Sequence, residues 1–131
     1  MNIGQVAGAA GVTAKRIRYY EEIGLVANAI RSSAGYRIYS ENDVHTLRFV
    51  QRARRLGFSL GQIKDLLALW HDRNRNSGAV KKIALSHINE LQTKIEELQS
   101  MVSTLAHLAE RCEGDLRPDC PILDDLEGDG A

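Results

Sequence analysis

Two cysteines, Cys112 and Cys120, stand eight positions apart near the end of a 131-residue chain that has no others. Thiolates at that spacing can hold a soft metal ion or close a disulfide, and Gly114 and Pro118 between them permit a compact turn. Pro121 directly after Cys120 suits the first turn of a short helix running to about Leu126. Cys120 then lies at a helix N-terminus, where the positive end of the dipole favours the metal-binding thiolate form. Zinc in a structural site takes about four ligands. The four histidines do not supply them: His45 and His71 lie far upstream, His107 faces outward, and His87 flanks an apolar stripe. Soft Cu(I) tolerates low coordination and selects sulfur, so it suits a pair of thiolates best. A bare dithiol switch and a Zn(II) site completed by further ligands stay open as alternatives.

The element that must position Cys112 runs from about Val80, with apolar residues at alternating steps of four and three: Ala84, Ile88, Leu91, Ile95, Leu98, Val102, Leu105, Ala109, Cys112. A period averaging 3.5 keeps one stripe of a helix against a partner helix, as in a coiled coil. Such a seam is roughly 43 Å long at about 1.5 Å per residue, longer than a chain of this size is wide when folded. An intramolecular hairpin would need a second helix of similar length, which the sequence lacks. The seam therefore predicts a homodimer.

Overall charge is zero, with 17 Lys/Arg against 17 Asp/Glu. The halves differ: residues 1–75 carry twelve Lys/Arg and six Asp/Glu, while residues 76–131 carry five and eleven. A basic front is a candidate polyanion surface, and the acidic remainder leaves a second job spatially separable. With 44% hydrophobic and 26% charged residues, the composition is that of a folded domain plus an extension. No leader pattern follows Met1 and no stretch approaches the ~18 apolar residues of a membrane span, so a cytoplasmic location without membrane contact, and cysteines kept as thiols, are expected. No nucleophile, base and orienting residue stand in a recognisable arrangement, so the sequence does not read as an enzyme.

In the front half, Ile3, Val6, Ala7 and Ala10 share one helix face, Gly11 can stop that helix, and Thr13 can cap a second from Ala14 to about Ile23. Lys15, Arg16, Arg18 and Tyr19 lie on or near the outer side of this second helix, with Ile17 and Tyr20 towards a core. Two short helices with cations on the second make a helix-turn-helix pattern. Tyr19 and Tyr20 are both candidates to reach DNA, with one of the pair expected to pack inside. Arg31 to Tyr39, turning at Gly35, fits a small β-wing in which Arg31, Tyr36 and Arg37 can meet phosphates. Ser40 with Asp43 and Ser59 with Gln62 then open two amphipathic helices, and Arg48, Arg52, Arg54 and Arg55 extend the basic surface.

The motifs Gln5 to Thr13, Arg18-Tyr-Tyr-Glu-Glu-Ile-Gly-Leu25 and Gly35-Tyr-Arg-Ile-Tyr39 resemble the MerR family of bacterial transcription regulators. Cys112-Glu-Gly-Asp-Leu-Arg-Pro-Asp-Cys120-Pro-Ile-Leu extends the resemblance to the copper-efflux branch of that family, the CueR and HmrR type. The resemblance covers the whole chain. It implies a mainly α fold: a winged helix-turn-helix over residues 1–75, a long antiparallel coiled-coil dimerisation helix over 76–111, and a metal-binding loop with a short helix over 112–131. It implies a homodimer on double-stranded promoter DNA that distorts an overlong spacer when Cu(I), or Ag(I) or Au(I), binds Cys112 and Cys120, so that RNA polymerase can use the promoter. Members of the family that sense divalent ions have a cysteine where this chain has Ser77, just before the long helix, which removes a ligand from the partner subunit. Lys81 nearby then serves to offset the residual negative charge of two thiolates around a monovalent ion.

Overall fold

The computed structural model describes residues 1–128. By its internal contacts the chain divides after Ile83 into a front unit, Met1–Ile83, and a second unit from Ala84 onward.

In the front unit the helices begin where side chains can satisfy the exposed N–H groups of a first turn. Helix α1 (Ile3–Ala10) is capped by Asn2, which exchanges hydrogen bonds with Gln5, and ends at Gly11, whose φ of 70° is cheap only without a Cβ. Thr13 caps α2 (Ala14–Glu22) by accepting from the Arg16 amide at 3.2 Å. Strands β1 (Ile30–Arg31) and β2 (Arg37–Ile38) pair antiparallel, with Ile30 opposite Ile38 and Arg31 opposite Arg37. Their connection turns at Gly35 (φ 85°) and is tied by a 2.7 Å bond from the Ser32 amide to the Tyr36 carbonyl. The reciprocal caps expected at Ser40–Asp43 and Ser59–Gln62 open α3 (Glu41–Arg55) and α4 (Leu60–His71). The wing, the two short helices and the two amphipathic ones thus stand where the sequence pattern puts them.

One apolar core holds this unit together, with Val6, Ile17, Val50 and Ile63 fully buried at its centre. Each helix contributes an inward apolar stripe. Trp70 lies at the margin, 37% exposed, with its ring stacked on Phe49 at 4.6 Å and 9°. Arg48 caps α1 from the side: its Nε and Nη2 donate to the Ala9 carbonyl at 3.2 and 3.0 Å. Arg54 likewise donates to the Phe58 carbonyl in the turn before α4. These two arginines, read from the sequence as part of a polyanion surface, do structural work at helix ends.

Helix α5 (Ser77–Arg111) runs 35 residues without a break and crosses the boundary between the units. It starts at Ser77, so that residue is the first of the helix and not the residue before it. Along the second unit most of its seam is bare: Ile88, Ile95, Leu98, Val102 and Leu105 are each between 46% and 65% exposed, while Leu91 is half-buried. Beside the seam, Leu108 is buried at 7%, where the chain folds back. There α6 (Pro121–Glu127) begins with its proline as expected, and Asp125 and Leu126 line a groove with Met101, Leu105 and Leu108. None of the described helices is long and apolar enough to cross a membrane. Because Ile63 is enclosed on all sides, Ile63→Ala is expected to lower unfolding stability by about 2–5 kcal/mol. Urea denaturation at fixed protein concentration checks this, and a loss below ~1 kcal/mol would mean that the core collapses around the gap.

Candidate metal centre and nucleic-acid interface

On the outer side of α2, Lys15, Arg16 and Arg18 are exposed, and Tyr19 is 47% exposed beside them. Tyr20 is not. It is 2% exposed in the core, because the helical period that turns Tyr19 outward turns its neighbour in, so Tyr20 is struck from the DNA-facing set. On the wing, Arg31 and Tyr36 are exposed, and Arg31 donates from Nη1 to the Gly35 carbonyl at 2.9 Å, which braces the turn. Arg37 behaves differently. Its Nη1 lies 3.2 Å from Glu21 Oε2, and its side chain is only 29% exposed, so its first commitment is an internal ion pair rather than a phosphate.

Glu21 itself was overlooked in the sequence. It is 6% exposed, and its other oxygen accepts the Tyr39 hydroxyl at 2.6 Å. A signal existed: Glu21 follows Ile17 by four positions, on the same inward face. Burial, and the hydrogen bond given to Glu21, raise the Tyr39 pKa above its ordinary 10.0, so that hydroxyl stays protonated and donating at neutral pH.

At the other end, Cys112 follows α5 directly, its amide donating to the Leu108 carbonyl at 3.2 Å, and Cys120 is the N-cap residue of α6. The intervening loop turns at Gly114 (φ 66°) and is braced by Arg117, which pairs with Glu113 and Asp115. The two sulfurs stand 3.9 Å apart, both partly buried. One ion with metal–sulfur bonds of about 2.3 Å spans ~3.8 Å between ligands at a tetrahedral angle and ~4.6 Å when linear. The observed separation lies inside that window and far beyond the ~2.05 Å of a disulfide. The Leu123 backbone amide, then that of Ile122, lower the Cys120 pKa from its ordinary 9.0, although the sulfur stops short of a full capping hydrogen bond with the helix. The pair therefore fits a soft ion. No group of three or more His, Cys, Asp or Glu side chains that could hold a metal occurs among the described residues. Ser77 and Lys81 are exposed in the first turns of α5, in the front unit.

Residues 1–70 match the family described as MerR HTH family regulatory protein, and residues 44–108 match the one described as MerR, DNA binding. The chain belongs to the MerR family. Among its relatives, the HTH-type transcriptional regulator HmrR of Sinorhizobium medicae is 58% identical over 132 residues, covering 100% of this chain and 90% of that protein. The HTH-type transcriptional regulator CueR of Salmonella typhimurium is 45% identical over 128 residues, covering 98% and 93%. Among solved structures, the transcription regulator PbrR691 of Ralstonia metallidurans CH34, in complex with lead(II), superposes with a TM-score of 0.83 at 30% identity, over 96% of this chain and 98% of that one.

Membership of the MerR family makes the chain a DNA-binding transcription regulator and not an enzyme. It also gives the exposed face of α2 and the wing their context: in a MerR regulator the helix-turn-helix is the DNA-reading element. The cysteine geometry carries its own expectation. With the Cys120 thiol pKa lowered, its alkylation rate by iodoacetamide should reach half-maximum at a lower pH than the same cysteine in the urea-unfolded chain, followed by mass spectrometry of the Cys120 peptide. A midpoint equal to the unfolded one would remove the role given to the α6 amides.

Proposed function

We propose that this protein is a Cu(I)-responsive activator of copper efflux or detoxification promoters. Residues 1–75 bind DNA, residues 76–111 dimerise, and residues 112–131 hold the metal; of these, 129–131 lie outside the described residues. The observation that carries the reading is the pair of partly buried sulfurs 3.9 Å apart at the end of α5 in a MerR-family chain. Kinship with HmrR and CueR regulators supports a metal-dependent role. Two sulfur donors, with no group of three or more metal-holding side chains among the described residues, favour a soft monovalent ion, Cu(I), Ag(I) or Au(I), over Zn(II). Bound there, the ion supplies two metal–sulfur bonds that close the loop between Cys112 and Cys120. Leu126 on α6 lines one groove with Leu105 and Leu108, so a closed loop fixes α6 beside the helix that dimerises.

The bare seam of α5 supports a homodimer, since Leu98 and Val102 are more than half exposed in the single chain. In an antiparallel pair the start of one α5 approaches the end of the other, which sets Ser77 and Lys81 of one protomer towards the cysteines of its partner. Serine there offers no thiolate, and the lysine offsets the negative charge of a two-thiolate, monovalent site. On DNA, Lys15, Arg16, Arg18 and Arg31 supply phosphate contacts, with Tyr19 and Tyr36 beside them and Arg37 secondary to its ion pair. The metal-bound dimer then distorts an overlong promoter spacer so that RNA polymerase can engage it.

Anaerobic titration of the reduced dimer with Cu(I) against a competing chelator, alongside Zn(II), tests the sensor. One Cu(I) per chain, lost in both Cys112→Ser and Cys120→Ser and weakened in Lys81→Ala, with weak Zn(II) binding, is expected; Cu(I) binding indifferent to the cysteines would overturn it in favour of the dithiol switch. For the DNA end, Arg18→Ala should weaken binding to a duplex selected from a random pool by about tenfold and make its salt dependence shallower by ~0.9 in log–log slope, while leaving Cu(I) affinity unchanged. Loss of both affinities together would point to unfolding.

A further inference from the structure

We propose that Glu21 is the positioning residue of the wing: its buried carboxylate sets where Arg31 and Tyr36 stand relative to the recognition helix α2. The inference rests on the proposed contact between wing and DNA backbone. A two-stranded ribbon with two residues in each strand does not hold an orientation by itself, so its placement must come from anchors elsewhere. Glu21 supplies such an anchor from α2, and it does so with both oxygens. Oε1 accepts the Tyr39 hydroxyl at 2.6 Å and Oε2 pairs with Arg37 at 3.2 Å, so the carboxylate grips a residue of β2 and the residue that follows the strand. A carboxylate only 6% exposed is tolerated because both partners are present: Arg37 compensates its charge and the Tyr39 hydroxyl satisfies its other oxygen.

The register carries this grip across the ribbon. Arg37 lies directly opposite Arg31, so fixing the first fixes the second. Residues directly opposite share one face of the ribbon, and with Arg37 committed to Glu21 the exposed cation of the pair is Arg31. The Tyr39 backbone is also tied to Met1, at 2.8 and 2.9 Å, which holds the end of the wing at the chain start; the link from the wing to α2 passes through Glu21, a side chain that itself faces no DNA.

The test uses the full-length dimer and the selected duplex, with affinity measured over a salt series for the wild type, Glu21→Gln, Tyr39→Phe, Arg31→Ala and Glu21→Gln/Arg31→Ala. Glu21→Gln keeps size and hydrogen-bonding ability while losing charge, and Tyr39→Phe removes only the hydroxyl. Each is expected to weaken binding about tenfold and to make the log–log salt slope shallower by ~0.9, the loss of one phosphate contact, with Cu(I) affinity unchanged. In the Arg31→Ala background, Glu21→Gln should cost less than about twofold more, because both changes remove the same contact. An equal cost in both backgrounds, or an unchanged slope, would make Glu21 a stabiliser of the fold and overturn the proposal. If Arg31→Ala itself leaves affinity and slope untouched, the wing contact falls and this inference with it. Should Glu21→Gln fail to fold by circular dichroism, Tyr39→Phe carries the same comparison alone.

Discussion

A helix of 35 residues with an apolar stripe along its length cannot bury that stripe by itself. This constraint shapes the rest of the second unit. Where the chain doubles back after Arg111, Leu108 beside the stripe is buried near α6; over most of its remaining length the stripe is exposed in the single chain. The cysteine pair sits at that transition, one sulfur on the residue that follows the long helix and the other on the N-cap of the short one. A bond made there acts on the junction between α6 and the bare part of the stripe.

The front unit solves a different problem, the presentation of cations on a small scaffold. Its core is made from residues that recur at helical spacing, and reciprocal caps close the ends. Charge then sorts by role. Lys15, Arg16 and Arg18 face outward from α2, whereas Arg48 and Arg54 are spent on main-chain carbonyls and Arg37 on a buried carboxylate. A basic surface counted from sequence therefore includes cations that the fold already engages, of which Arg37 is also half-buried.

That difference marks how far the sequence was legible. Caps, glycine stops, the wing turn, the proline start of α6 and the unbroken long helix are local patterns, each set by chemistry within a few residues, and each stands in the structure as read. The proximity of the sulfurs followed from a short loop between two helix ends. What escaped were pairings between residues distant in sequence: Arg48 with Ala9, and Glu21 with Tyr39 and Arg37. No periodicity announces a partner 39 positions away. Tyr20 was within reach of the pattern, since it shares the inward face with Ile17, but adjacency to Tyr19 in a basic helix gave it a surface role as well. Ser77 shifted by one position for a simpler reason: helix starts are set by the first satisfied turn, and here the Asn76 side chain accepts from the Gly78 amide at 2.8 Å.

The stacked pair at the margin of the front core has a use of its own. Trp70 is the single tryptophan of the chain, and its ring lies 4.6 Å from Phe49 on one side with an open edge to water on the other. An indole so placed emits with a colour set by how much solvent reaches it. The protein thus carries an intrinsic optical probe at the end of α4, free of background from other indoles, and any event that slides α4 against α3 should register in its emission without a label.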